Sequence, residues 1–266
     1  MLAKLLKHEL KADGSVMGTL CAASLGVGLI GGLTMRYLLS AEGNAQEGAL
    51  VAIAMLLLFF SFLALALFSA GSGLFLLYQF YKRKFTDEGY LTFTLPAASW
   101  QIYLSSLLNI LLWTLVTGLV TILAFCLIFF IGLANSQFIM EMKEAINKMR
   151  EVFDADFYGS IPIAKPSLVV GAVAVQYVGQ SVIAMTCITL GSILARRRKL
   201  LGAVGAYWVY SMISGAVSSR VLSPLILAEN FSLNTYYSVM LVFTLIMSVA
   251  GFILSCWLMK KKLNLP

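Results

Sequence analysis

Charged side chains are scarce in this sequence of 266 residues. Asp, Glu, Lys and Arg make up 12% of it, against about a quarter in a soluble domain, while 60% of the residues are hydrophobic. The mean hydropathy is +0.90. A chain this apolar cannot cover its own surface with polar groups, so we expect lipid to be its solvent.

Residues and motifs for catalysis are also lacking. His8 is the one histidine, which excludes histidine-based metal sites and catalytic triads. The sequence has no GxxxxGKS/T phosphate loop, no GxSxG nucleophile elbow and no HExxH pair. The four cysteines show no CxxC spacing and fall within apolar segments, so we interpret them as small packing residues. We therefore expect a protein that is not itself an enzyme and that holds no cofactor and no metal.

What the sequence does contain is a set of long, largely uncharged segments. A bilayer core of roughly 30 Å takes about 20 helical residues. The segments predict six transmembrane helices, at 14–40, 48–80, 99–135, 166–195, 200–222 and 236–259. They lack the alternation of a membrane barrel, so we predict an all-α polytopic membrane protein that forms a single transmembrane domain over residues 1–266. None of the six ranges contains Asp or Glu, which argues against a transporter driven by protons or sodium.

The number of spans depends on the segment Gly89–Met140, which is long enough for two helices. Charge placement decides between the alternatives, because Lys and Arg concentrate in cytoplasmic loops. A hairpin there would move the basic cluster Arg196–Lys199 to the outside, whereas six spans put thirteen of the nineteen Lys and Arg in the cytoplasm. We therefore predict that both termini are cytoplasmic. The net charge of +7 then reflects topology and contact with anionic lipid headgroups, not binding of nucleic acid.

Two segments outside the spans have amphipathic patterns. In residues 1–13, leucines recur at helical spacing among basic residues, which predicts an interfacial elbow helix ending near Asp13-Gly14; a solvated basic tail is the alternative. In the outer segment 136–165, an apolar stripe along Phe138–Phe153 lies opposite a charged face. We interpret it as an amphipathic helix that either rests on the outer leaflet or forms a lid over an exit.

The cytoplasmic segment 81–98 is too apolar for a free loop and too charged for lipid. Three basic residues are followed by the acidic pair Asp87-Glu88, by Gly89, and by a half-apolar stretch that ends at Pro96. The second span is longer than a bilayer needs, so it can carry this segment beyond the headgroups. We expect the segment to bind a protein partner.

Polar side chains within the spans are few. They mark a candidate translocation path, and interhelical hydrogen bonds without a ligand are the alternative interpretation. The residues are Asn109 in the third span and Gln176, Tyr177 and Gln180 in the fourth.

Two stretches of the chain resemble bacterial permease subunits of ATP-binding-cassette exporters, of the six-helix type 2 membrane family. They are KLLKHELKA at Lys4–Ala12 and YKRKFTDEGYLTFTLPAASWQIYLSSLL at Tyr81–Leu108. In that family the segment between spans two and three carries a coupling helix that docks on the ATPase. Carried over to this sequence, the resemblance implies ATPase contacts at Lys84, Phe85, Asp87, Glu88, Gly89 and Tyr90.

The resemblance also implies a function. The chain would be the permease subunit of an exporter in the bacterial cytoplasmic membrane, and a separate ATPase subunit would hydrolyse ATP to move a substrate that we do not identify. Six helices are half of the usual twelve, so the expected partners are the ATPase, a second permease subunit of the same or similar kind, and membrane lipid. An energy-independent membrane scaffold or regulatory subunit is the alternative.

Overall fold

The computed structural model describes residues 2–40, 48–86, 98–132, 166–195, 198–227 and 233–261, together with Gly89 and the pairs 143–144 and 147–148. These residues contain no β-strand and form six long helices, each apolar enough to cross a membrane. The helices are α1 (Leu2–Ser40), α2 (Gly48–Phe85), α3 (Ser99–Gly132), α4 (Pro166–Leu194), α5 (Lys199–Leu227) and α6 (Leu233–Lys261). The predicted all-α class with six helices of membrane-spanning length is confirmed.

The first helix differs from the prediction in one respect. α1 continues without interruption from Leu2 to Ser40, so the expected end of an elbow helix near Asp13-Gly14 is absent. The reason is that one face of the helix is buried on both sides of that point, at Glu9, Asp13 and Met17. At about 1.5 Å per residue the helix is roughly 58 Å long, which is well beyond the thickness of a bilayer core.

Only part of the predicted outer helix falls within the described residues. The pairs 143–144 and 147–148 are helical, and Lys148 Nζ lies 3.0 Å from Glu144 Oε1 in an exposed i,i+4 ion pair. The remainder of the segment 136–165 lies outside the described residues. The amphipathic helix along Phe138–Phe153 therefore stays a prediction.

The chain divides into two compact units. The first unit comprises Met1–Glu9, Leu77–Leu111 and Tyr158–Pro266, and the second comprises Leu10–Leu76 and Leu112–Phe157. Because α1, α2 and α3 are long, each contributes residues to both units.

The second unit is held by close packing among α1, α2 and α3. A Cβ atom at Gly28 would lie 2.9 Å from the carbonyl oxygen of Ala124, so α1 can approach α3 this closely only because residue 28 is glycine. Leu65, Ala124 and Ile128 are fully buried at the centre of this packing. Small residues thus let the helices approach closely, and the hydroxyl of Ser72 in α2 also donates a hydrogen bond of 3.4 Å to Oγ1 of Thr117 in α3.

The first unit is organised around α4. This helix packs along both α5 and α6, whereas α5 and α6 touch each other only slightly. A Cβ at Gly202 would lie 2.7 Å from the carbonyl oxygen of Gly191, which places α4 and α5 almost in backbone contact. On the α6 side, the hydroxyl of Ser255 donates a hydrogen bond of 3.0 Å to Oγ1 of Thr186.

Candidate functional site

A buried ion pair joins the N-terminal part of α1 to the end of α2. Lys84 Nζ lies 2.9 Å from Glu9 Oε1, and only 3% and 7% of the two side chains are exposed. Burying two charges is costly, and the cost is offset only when geometry and further hydrogen bonds are good. The surrounding helices must therefore hold Glu9 and Lys84 in a fixed geometry.

A third helix completes what we call the Glu9 network, which consists of Glu9, Lys84 and Ser106. The hydroxyl of Ser106 in α3 donates to the same oxygen, Glu9 Oε1, at 2.9 Å. The other oxygen, Oε2, is buried and has no hydrogen-bond donor among the described residues. The network thus ties three helices of the first unit together at one carboxylate oxygen.

Phe85, the residue after Lys84 in α2, is held by a separate hydrogen bond. Lys199, the first residue of α5, donates from Nζ to the backbone carbonyl oxygen of Phe85 at 2.9 Å. Phe85 is the last residue of α2, and carbonyl groups in a last helical turn have no partner within the helix. The ammonium group satisfies one of them and also lies where a cation interacts favourably with the helix dipole.

Aromatic side chains pack beside these polar contacts. The ring of Phe80 contacts the rings of Phe85 and Tyr103 edge to face, with centroids 5.7 and 6.2 Å apart. Tyr103 is fully buried, packs on Phe252 of α6 at 5.2 Å, and donates from its hydroxyl to the carbonyl oxygen of Val182 at 3.1 Å. The end of α2 therefore packs on Tyr103 of α3, and Tyr103 in turn contacts α6 by packing and α4 by a hydrogen bond.

The predicted ATPase contacts fall into two groups. Lys84 and Phe85 are buried, and both are engaged by other parts of this chain. Gly89 is also buried, and its amide donates to the carbonyl oxygen of Thr86 at 2.8 Å. Asp87, Glu88 and Tyr90 lie outside the described residues. The side chain of Lys84 and the backbone carbonyl group of Phe85 thus form an internal anchor, shortly before the acidic pair in the chain.

The candidate path residues occupy two different environments. Asn109 is buried within the bundle. On α4, Gln176, Tyr177 and Gln180 are exposed on one face. Gln176 Oε1 accepts a hydrogen bond of 2.7 Å from Thr244, and the Tyr177 hydroxyl donates to the carbonyl oxygen of Leu111 at 3.2 Å.

Sequence reasoning missed three residues of this site: Glu9, Ser106 and Lys199. For Glu9 a signal exists, because position 9 continues the helical spacing of Leu2 and Leu5 and is followed by Asp13 and Met17 on the same face. An acidic residue within an apolar stripe indicates a buried partner of opposite charge. Ser106 and Lys199 carry no comparable signal, because their contacts connect residues far apart in the chain.

The described fold and site are those of a multi-pass α-helical membrane protein in which a charged network joins the ends of several spans. Comparison with protein-family models, with curated proteins and with solved structures gives no match.

Proposed function

We propose that the chain is the membrane-spanning permease subunit of an ATP-binding-cassette exporter in the bacterial cytoplasmic membrane. In this proposal both termini are cytoplasmic, the substrate crosses between permease subunits, and a separate subunit hydrolyses ATP. The observation that carries the proposal is the anchoring of the end of α2, where Glu9, Ser106 and Lys199 hold Lys84 and Phe85. The resemblance at Tyr81–Leu108 supports it from the sequence side.

The anchoring matters because an acidic pair lies directly beyond it in the chain. Asp87 and Glu88 come two and three residues after Phe85, and basic residues dominate the other segments proposed to be cytoplasmic. Carboxylates form strong charge-assisted hydrogen bonds with Arg or Lys of a partner. A force applied to this pair by an ATPase would act on a helix end that is bonded to α1 and α5 and is linked to α3 through Glu9, so motion would reach several spans at once.

Coupling can be tested at Glu88. We expect the Glu88→Lys variant to insert normally but to lose most of the ATPase subunit that copurifies with the parent chain, because reversal replaces attraction by repulsion. The measurement is the amount of ATPase recovered with an affinity-tagged permease, together with transport-linked ATP hydrolysis.

The matched control is Glu144→Lys, which reverses an exposed acid whose i,i+4 pair contributes only about 0.3–0.5 kcal/mol. It should retain the ATPase. If no ATPase copurifies with the parent chain, the scaffold alternative is favoured. If the ATPase copurifies and Glu88→Lys assembles and hydrolyses like Glu144→Lys, the acidic pair is not the coupling element.

The proposed orientation makes a separate prediction. In a cysteine-free background, Lys143→Cys is expected to react with an impermeant thiol reagent in intact cells, and Arg197→Cys only after permeabilisation. The reason is that the basic cluster at Arg196–Lys199 should stay in the cytoplasm. Labelling of Arg197→Cys in intact cells would overturn the orientation.

A further inference from the structure

Arg36 lies at the depth of the lipid headgroups. The uncharged stretch of α1 from Gly14 to Met35 contains 22 residues, so it is about 33 Å long and matches a bilayer core of roughly 30 Å. Arg36 follows this stretch directly, is exposed, and forms no ion pair with any described residue. The described parts of α1 and α2 between Asp13 and Lys82 contain no other charged residue. Headgroup phosphates are the anions that a bilayer supplies at this depth.

An apolar groove between α1 and α2 opens beside this arginine. Its volume is about 290 Å³. It is lined by α1 at Leu33, Thr34 and Tyr37, and by α2 at four residues from Leu50 to Leu57. Arg36 is one helical turn from Leu33 and directly precedes Tyr37, so it flanks the groove at the headgroup end.

The packing of the two helices explains why the groove exists. Deeper in the membrane α1 and α2 are in close contact, because a Cβ atom at Gly31 would lie 3.1 Å from the Cβ of Ser61. Nearer the headgroups α2 contributes Ala54, which is buried and too small to fill the space between the helices. The groove therefore narrows towards the membrane centre.

The lining offers mainly apolar contact to an occupant. Leucine, isoleucine and alanine make up five of the seven lining residues. The hydroxyl of Thr34 is already engaged, because it donates to the carbonyl oxygen of Gly31 at 2.8 Å. Leu33 and Ile53 on the two rims are more than half exposed, so the groove opens to the surrounding acyl chains. It therefore suits a hydrocarbon chain.

We propose that the groove binds an acyl chain of an anionic phospholipid whose headgroup phosphate is bound by Arg36. A space of about 290 Å³ holds about ten groups of the size of a water molecule, and a methylene group is about that large. This is enough for part of one acyl chain and too little for a folded peptide. The planar guanidinium group of arginine can donate two hydrogen bonds to phosphate oxygens.

The positive charge of Arg36 makes the site selective among phospholipids. Phosphatidylcholine carries a choline group that cancels the charge of its phosphate, whereas phosphatidylglycerol keeps a net negative charge. One arginine near a membrane surface favours the anionic lipid about fivefold. The inference goes beyond the proposed function, because the site would be present whatever the chain does in its membrane.

Lipid retention tests the arginine. The chain is reconstituted in nanodiscs of equimolar phosphatidylglycerol and phosphatidylcholine, released into detergent, and analysed by native mass spectrometry. We expect the parent chain to retain phosphatidylglycerol in about fivefold excess, and Arg36→Gln to bring the ratio close to that of the mixture. The matched control is Arg220→Gln, which removes an exposed arginine of α5 outside the groove and should leave the ratio unchanged.

A second pair of variants tests the groove. Ala54→Leu puts a larger side chain where the acyl chain would lie, so the retained phospholipid should fall to a small fraction of that of the parent. Ala52→Leu is the matched control, because position 52 is exposed and does not line the groove. It should retain lipid like the parent. Arg36 is exposed, so Arg36→Gln tests the proposal even if Ala54→Leu does not fold.

Four outcomes would overturn the proposal. The parent could retain the two lipids equally, or Arg220→Gln could change the ratio as much as Arg36→Gln does. A folded Ala54→Leu could retain as much lipid as Ala52→Leu, which would place the lipid elsewhere. Finally, a preference for phosphatidylglycerol that appears only after Glu42→Gln and Glu47→Gln would show that an acid of the chain outside the described residues holds Arg36.

These outcomes are separate from those of the exporter proposal, because lipid retention needs no ATPase. A selective groove in a chain that copurifies with no ATPase defeats the exporter proposal alone. An ATPase that copurifies with a chain whose lipid retention is unselective defeats the lipid site alone.

Discussion

Replacing Lys84 with methionine is expected to lower the free energy of unfolding by about 3–5 kcal/mol. Methionine retains an apolar chain of similar length, so the change removes the charge more than the packing. The Glu9 carboxyl group would stay buried without its ionic partner, with Ser106 as its one remaining donor among the described residues. The measurement is unfolding in mixed micelles titrated with denaturing detergent.

The chain offers a matched control for this substitution. Lys148 forms an ion pair with Glu144 at 3.0 Å, nearly the 2.9 Å of the buried pair, but its side chain is 72% exposed. Lys148→Met should cost no more than about 0.5 kcal/mol, because solvent screens the pair. If Lys84→Met is no more destabilising than Lys148→Met, the Glu9 network does not hold the helices together.

A double variant separates the charge pair from the packing around it. Glu9→Leu with Lys84→Met removes both buried charges, so no uncompensated charge is left in the bundle. Buried ion pairs can often be replaced by apolar residues at little cost, while removing one partner is harmful. We therefore expect the double variant to be more stable than either single variant, and the double-mutant cycle measures the coupling between the two residues.

The second large effect is expected at Gly191, where replacement by alanine should destabilise the protein by about 1–3 kcal/mol. A Cβ atom at this position would overlap the backbone of Gly202 and Ala203 in α5. A backbone cannot move aside as a flexible side chain can, and the connection between α4 and α5 is short. The two helices would have to separate along their contact.

Gly171→Ala is the matched control, since it makes the same substitution in the same helix. A Cβ at Gly171 would have no atom within 4 Å, so the variant should unfold like the parent. Both variants can be compared in the same detergent titration. Equal stability of the two would show that α4 and α5 do not need the close approach at Gly191.

The six helices could be predicted from the sequence because the signal is local. A bilayer requires about 20 apolar residues in a row, and each of the six helices contains such a segment. The continuity of α1 was not predicted, because Lys4, Lys7 and Lys11 favour a separate helix at the membrane surface. What overrides this pattern is the burial of Glu9 and Asp13 on the face that Met17 continues.

The candidate site was predicted less completely, for a different reason. Lys84 was predicted to contact an ATPase because the stretch Tyr81–Leu108 resembles exporter permeases. Its actual neighbour, Glu9, is 75 residues away in the chain, and no local pattern connects the two. The role predicted for three further residues stays a prediction, because Asp87, Glu88 and Tyr90 lie outside the described residues.

The Glu9 network also sets an order of events while the chain is being made. Ser106 is synthesised 97 residues after Glu9, which takes about 5–20 s at typical rates of translation. For the first 75 residues of that interval Glu9 lacks both Lys84 and Ser106, so its carboxyl group must stay in water or among headgroups. α1 can therefore bury Glu9 with both partners only after the end of α2 and the start of α3 have been made, and a ribosome that stalls before Lys84 would leave the Glu9 carboxyl group without either of them.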